Sequence, residues 1–300
     1  MIGEFAALGA ALTWAVAPIM YRKALSTVSP FSANIVRCIT NSAILVLVLV
    51  ASGLFGVLVK LPSEVIAIVV ASGLIGLGLG DTFYMIALKS IGVARAVPLA
   101  ASYPLFSLVW ATLLLGEGVT LLAVAGTIVI LFGIWFLSRE TVNSKMHFHG
   151  KFELAGVVFS LATAVVWSIS LTLMDFAVTM PGVVSGLEGN YAIVTVRIVG
   201  MTIGMLALAP LLDRRHEFLK VKLRTVVLLC VGGLVANGLG WLLMNYSFLN
   251  ISESQAVPIS STTPLFSALA GFAFLREKIT GNNILGAILV VAGVVMIFIV

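Results

Sequence analysis

The chain has 300 residues, 17 of them Lys or Arg and 12 Asp or Glu, for a net charge near +5. Only 10% of the residues are charged and 61% are apolar, with a mean hydropathy of +1.18. A soluble domain carries about 25% charged residues, so this composition argues against a water-soluble globular enzyme. A membrane span takes roughly 20 apolar residues; ten such spans would use most of the chain and leave no room for a large aqueous domain.

Apolar runs bounded by charges, glycines and prolines predict ten helices, near 3–21, 31–58, 65–88, 94–115, 119–137, 153–176, 190–212, 225–248, 254–275 and 280–300. The first lacks the basic start of a cleavable signal peptide and carries Trp14 at mid-span, so it reads as a permanent span. The second holds Arg37, about 10 Å deep at helical rise. The third is glycine-rich at Gly73, Gly76, Gly78 and Gly80, followed by Asp81 and Tyr84. The fourth has prolines at 98 and 104, with Ser102 and Tyr103 before the second. The fifth places Gly126 and Gly133 on one face. The sixth holds Trp167 and ends near Asp175; the seventh holds Arg197. The eighth carries Asn237, Trp241 and Asn245. The ninth repeats the two prolines at 258 and 264, with Ser260, Ser261, Thr262 and Thr263 between them. The tenth repeats the two glycines at 286 and 293.

The charges sort by side. Loops after the odd-numbered spans hold fourteen of the 17 basic residues, while the opposite face, which includes both termini, holds only Lys60. Arg37 and Arg197 lie within spans. The positive-inside rule then puts the basic face in the cytoplasm and both termini outside. Cys38 and Cys230 sit in apolar runs and form no disulfide framework, and His147, His149 and His216 lack the ligand spacing of a metal centre.

The sequence repeats itself. At a constant offset, Arg37, Pro98, Pro104 and Glu117 match Arg197, Pro258, Pro264 and Glu277, and Gly73, Gly80, Gly126 and Gly133 match Gly233, Gly240, Gly286 and Gly293. Between 89–117 and 249–277, ten positions of 29 are identical. Trp14 matches Trp167 at a shorter offset, which places an insertion around 181–190. The expected organisation is a first five-helix repeat over 1–138, a polar loop over 139–151 and a second repeat over 152–300. Five is odd, so the second repeat enters from the other side. The fold class is therefore an all-α membrane protein of two inverted five-helix repeats, a plan common among secondary transporters.

The stretches Ala87-Leu88-Lys89-Ser90-Ile91-Gly92, Ser102-Tyr103-Pro104-Leu105-Phe106 and Leu115-Gly116-Glu117 occur in order, and their echoes Pro264-Leu265-Phe266 and Leu275-Arg276-Glu277 follow in the second half. Together they resemble the EamA-type domain of the drug/metabolite transporter superfamily. The resemblance implies a ten-helix carrier of small organic metabolites, often an exporter. It also implies cytoplasmic termini, opposite to the charge count.

Charge inside a membrane is costly, about 2.5–3.5 kcal/mol at mid-helix on insertion scales, so the intramembrane ions are the first candidates. Arg37 and Asp81 share a depth and are expected to pair, either as a structural brace between helices or as a gating or coupling element, with proton movement as one use of the latter. Asp81 has Trp241 as its repeat equivalent, which leaves Arg197 with no matching acid. Arg197 is free to stack on Trp241, reach Asp175 or meet a substrate carboxylate or phosphate. Trp14, Tyr84, Tyr103, Trp167, Arg197, Asn237, Trp241, Asn245 and Thr262 form the expected solute site. The glycines read as helix-packing positions and as one face open to a second copy of the chain; Glu117 and Glu277 read as helix caps or loop bridges. No phosphate-binding loop, zinc motif or nucleophile–His arrangement appears, which argues against a membrane enzyme or an ATP-driven pump, and no cofactor or nucleic-acid partner is expected. The reading is an alternating-access carrier in the cell membrane, for amino acids or related solutes, with export expected. A lipid flippase of the same fold is the alternative.

Overall fold

The computed structural model describes residues 1–143, 151–183, 186–213, 215–267, 269 and 281–299. The main helices are α1 (Ile2–Ala24), α2 (Pro30–Ala51), α3 (Ser63–Ile91), α4 (Arg95–Leu114), α5 (Leu121–Asn143), α6 (Lys151–Thr179), α7 (Leu187–Leu212), α8 (Leu223–Phe248), α9 (Glu253–Ser260) and α10 (Gly281–Phe298). Among the described residues eight helices are long and apolar enough to cross a membrane, and Leu121–Leu137 adds a shorter apolar one. No strand occurs among these residues. The ninth expected span, 254–275, is described only in its first part, and Glu277, His147 and His149 lie outside the described residues. The chain is thus an all-helical, multi-pass membrane protein. Large apolar side chains such as Leu47, Leu113, Phe132 and Ile203 project outward, as lipid requires.

Local chemistry sets the helix ends. Proline opens α2, where its fixed φ suits the first turn and its missing N–H costs nothing. The expected run to residue 58 is broken: Gly53 turns the chain at φ +69, and Phe55–Val59 forms a separate short helix. Pro98 and Pro258 sit inside helical turns, and both chains then break, at Ala101–Ser102 and Ser261–Thr262, before resuming at Tyr103 and Thr263. Both third helices of the repeats widen into π winding, over Gly73–Gly80 in α3 and Leu234–Gly240 in α8.

The repeats are related by a two-fold that the contacts make visible. Ser42 on α2 hydrogen-bonds Thr202 on α7, its own repeat equivalent, at 2.7 Å, which places this pair on the axis. On α5 and α10, Gly126 faces Gly293 and Gly133 faces Gly286. A Cβ on any of the four would come within 2.8 Å of the opposing glycine's carbonyl oxygen, so glycine is required there. Early faces late on both helices, so equivalent helices run antiparallel, as an inverted repeat demands. This contact uses the glycine face within the chain and leaves it unavailable to a second copy.

The loops also sort by face. Ser26–Ser29, Lys89 and Glu217–Lys222 share one groove, and Arg22 reaches the carbonyl of Lys89. At the other end, Glu117 meets the start of α9 and Gly3 abuts Ile251. Among the described residues, the loops holding most of the basic side chains therefore gather at one end of the bundle, opposite the N-terminus.

Candidate functional site

Where the two repeats meet, a cavity of about 100 Å³ lies at mid-bundle. That is several times the space one water needs. Eight of the eleven expected site residues line it: Trp14, Arg37, Asp81, Tyr84, Tyr103, Trp167, Asn237 and Trp241. α1 and α6 deliver the two tryptophans at equivalent positions; α3 and α8 deliver Asp81, Tyr84 and Trp241 just beyond their π windings, and Asn237 lies within the second winding.

The wall built by the first repeat is ionic. Arg37 Nη2 lies 2.7 Å from Asp81 Oδ2, and both side chains are buried. The guanidinium also donates to Asn34 Oδ1, and it sits 5.3 Å from the Tyr21 ring centre. Asn34 itself donates to the carbonyls of Leu77 and Gly78, at 2.8 and 3.1 Å, within the π winding. Asp81 Oδ1 accepts the indole N–H of Trp167 at 2.8 Å. Both carboxylate oxygens are therefore engaged, and the pair is held from α1, α2, α3 and α6.

Much of the rest of the lining is aromatic. Trp14 donates its indole N–H to the Ala236 carbonyl at 3.0 Å, in the π winding of α8, and its ring lies 5.8 Å from that of Trp241. Trp167 packs against Tyr84 and Tyr103, at 4.8 and 6.2 Å between ring centres. Tyr103 reaches across to Ser260 Oγ at 2.9 Å, tying α4 to α9.

Arg197 sits one layer behind this aromatic lining. Its side chain is 0% exposed and stacks on Trp241 with 3.4 Å between the guanidinium carbon and the ring centre. Nη2 donates to Ser170 Oγ at 2.7 Å, while Nε and Nη1 have no hydrogen-bond partner among the described residues. Among the described residues no carboxylate forms an ion pair with it, Asp175 included. The stacking expected from sequence is present; the reach to Asp175 is not.

Two expected site residues lie elsewhere. Asn245 is fully buried and donates to Asn190 Oδ1 at 3.0 Å, tying α8 to α7 away from the cavity. Thr262 falls in the break of the ninth span and donates to its own Ile259 carbonyl; its neighbour Thr263 lines the cavity instead, bonding the Ala11 carbonyl. A turn between two helical pieces redirects side chains by more than a periodicity count can follow. Ser170 was missed: it lies one turn after Trp167 and so on the same helix face, which is a signal the sequence does contain. A Cβ on Gly76 would collide with it, so that glycine makes room for the Ser170–Arg197 contact. Glu117 caps as expected, its two oxygens accepting the backbone N–H groups of Glu253 and Ser254 at 2.8 and 3.0 Å.

The sequence matches the EamA-like transporter family over residues 1–139 and again over 154–299. The chain belongs to the EamA-like transporter family. This family is part of the drug/metabolite transporter superfamily. An uncharacterized transporter of Archaeoglobus fulgidus is 23% identical over 298 residues, covering 99% of this chain and 98% of the relative. A probable terminal-alkyne amino-acid exporter of Streptantibioticus cattleyicolor is 26% identical over 136 residues, 44% of each chain. The LicB protein of Haemophilus influenzae is 20% identical over 225 residues, covering 75% of this chain and 73% of that one. One solved crystal structure superposes with a TM-score of 0.72 at 19% identity, over 98% of this EamA-like chain and 95% of the other, and shows the shared fold.

Proposed function

We propose that this EamA-like transporter is a secondary carrier of small carboxylate-bearing solutes, amino acids or their relatives, working by alternating access around the central cavity. The observation that carries the reading is the lopsided arrangement of the two arginines. The cavity reaches Arg37, which has an internal counter-ion, and stops at Trp241 in front of Arg197, which has none. In an inverted repeat, exchange of the two halves' conformations converts one access state into the other. The exchanged state brings the cavity to Arg197, where two unpartnered N–H groups suit a carboxylate. The Arg37–Asp81 pair then acts as a gate element rather than a solute contact. The relative named as an amino-acid exporter supports the solute class and the direction of export. The charge bias supports placement in the cell membrane with the basic face in the cytoplasm and both termini outside.

The test is a thermal-shift screen of the detergent-purified chain against amino acids, small carboxylates, sugar phosphates and organic cations, followed by liposome uptake of the hit. A ligand of the folded state raises the melting temperature, with a stabilisation that grows as the logarithm of its concentration over Kd. Stabilisation by carboxylates, lost in Arg197→Ala while the variant stays folded, is the expected result. Stabilisation by organic cations alone, or unchanged carboxylate affinity in Arg197→Ala, sinks the proposal.

A further inference from the structure

At the end of the bundle near the N-terminus, three carboxylates converge from three elements. Glu117 comes from the loop before α5, Asp175 from the last turns of α6, and Glu253 from the first turn of α9. Their surroundings differ. Glu117 is compensated as an anion, because both oxygens accept amide N–H groups at the positive end of α9. Glu253 is 0% exposed; Oε1 accepts the Thr172 hydroxyl at 2.7 Å, and Oε2 is buried with no hydrogen-bond partner among the described residues. Ser107 on α4, 1% exposed, faces the same carboxyl. Asp175, 6% exposed, lies one turn beyond Thr172 on α6.

Among the described residues no cation pairs with these carboxylates. α10 carries no charged residue, and α8 has only Arg224, at its far end. α1 contributes Glu4 and the Met1 ammonium, which pair with each other at 2.7 Å. Lys60, the single basic residue of this face, is exposed. Three like charges in one largely buried junction cannot all persist. Asp81, for which proton coupling is one of the readings open from sequence, is in the opposite situation, with Arg37 on one oxygen and Trp167 on the other.

We propose that Glu253 is a proton-binding site, and that its proton latches the junction of α4, α6 and α9. With the proton on Oε2, the Thr172 contact and the Glu117 cap hold α9 against α6 and the loop after α4. Transfer of that proton to water at this face leaves Glu253 negative beside Glu117 and Asp175. Repulsion then loosens the cap, and this end of the bundle opens. The inference rests on the carrier reading only for the purpose of the opening; the proton binding itself is tested with no solute present.

The experiment is infrared difference spectroscopy of the full chain in liposomes, stepped between mildly acidic and mildly alkaline pH. The expected result is a protonated-carboxyl band that titrates in the parent, is lost in Glu253→Gln and survives in Asp81→Asn. Two gentler variants guard against misfolding. Asp175→Asn removes a neighbouring negative charge and should move the midpoint down; Thr172→Val removes a donor to the anion and should move it up, each by about one pH unit. A band that persists in Glu253→Gln, that disappears in Asp175→Asn, or whose midpoint moves in neither gentle variant overturns the proposal. Absence of solute transport with these titrations intact would overturn the carrier reading and leave the proton site standing.

Discussion

Arg37 and Arg197 occupy equivalent places in the two repeats, yet their surroundings have diverged at nearly every contact. Arg37 meets Asp81, Asn34 and Tyr21. At the matching positions Arg197 has Trp241, Val194 and Met174. Ser170, its hydroxyl partner, stands where the first repeat has Ala17. Arg37 has a carboxylate in direct contact; Arg197 has no ion pair among the described residues and lies against a ring. A buried cation with no ion-pair partner is costly, and the carboxylate solute proposed above would relieve that cost.

That contrast can be broken in graded steps. Asp81→Ala should cost the most, about 3–5 kcal/mol, because it strands Arg37 as an unpaired buried charge. Thermal unfolding in detergent would show it, and the double change Arg37→Met with Asp81→Leu should recover much of the loss. Equal damage from single and double variants would deny the pair its isolation. Trp167→Phe removes a hydrogen bond to a carboxylate and should cost about 1.5–3 kcal/mol. Trp241→Asp sharpens the comparison from the other side, by giving Arg197 the counter-ion its twin already has. Carboxylate binding should then fall at least about tenfold, equivalent to 1.4 kcal/mol, with the chain still folded; undiminished binding would remove Arg197 from the solute's path. Trp14→Phe removes only a bond to a backbone carbonyl and should cost about 0.5–1.5 kcal/mol. If it matches Trp167→Phe, the two tryptophans are not differentiated by their partners.

Much of this architecture was legible before any coordinates. Composition demanded spans, the constant offset demanded a repeat, and the odd helix number demanded inversion, which the antiparallel meeting of Gly126 with Gly293 displays. The Arg37–Asp81 pair was readable because both ions sit at a computable depth in regular helix. That Asn245 and Thr262 do not line the cavity was not readable, for a different reason. Asn245 lies just past the π winding, and Thr262 lies in a break after Pro258. Irregular backbone resets the angular count from which facing is inferred. Glu253 escaped notice because it stands at the first turn of its helix, where an acid reads as an ordinary surface charge; burial by α6 and α4 is a tertiary fact.

The π windings of α3 and α8 carry a mechanical consequence. Such a winding takes in more chain per turn than an α-helix does, so rewinding it as α rotates whatever lies beyond about the helix axis. Asp81 and Tyr84 lie beyond the winding in α3, and Trp241 lies beyond it in α8. Each stretch is thus where a swivel would sit. Rewinding it would turn the residues beyond the winding relative to those before it, and with them a polar wall toward or away from the cavity. A spin label beside Tyr84 would then change its distance to α6 while a label before Gly73 would not; a fixed distance at Tyr84 would deny the swivel.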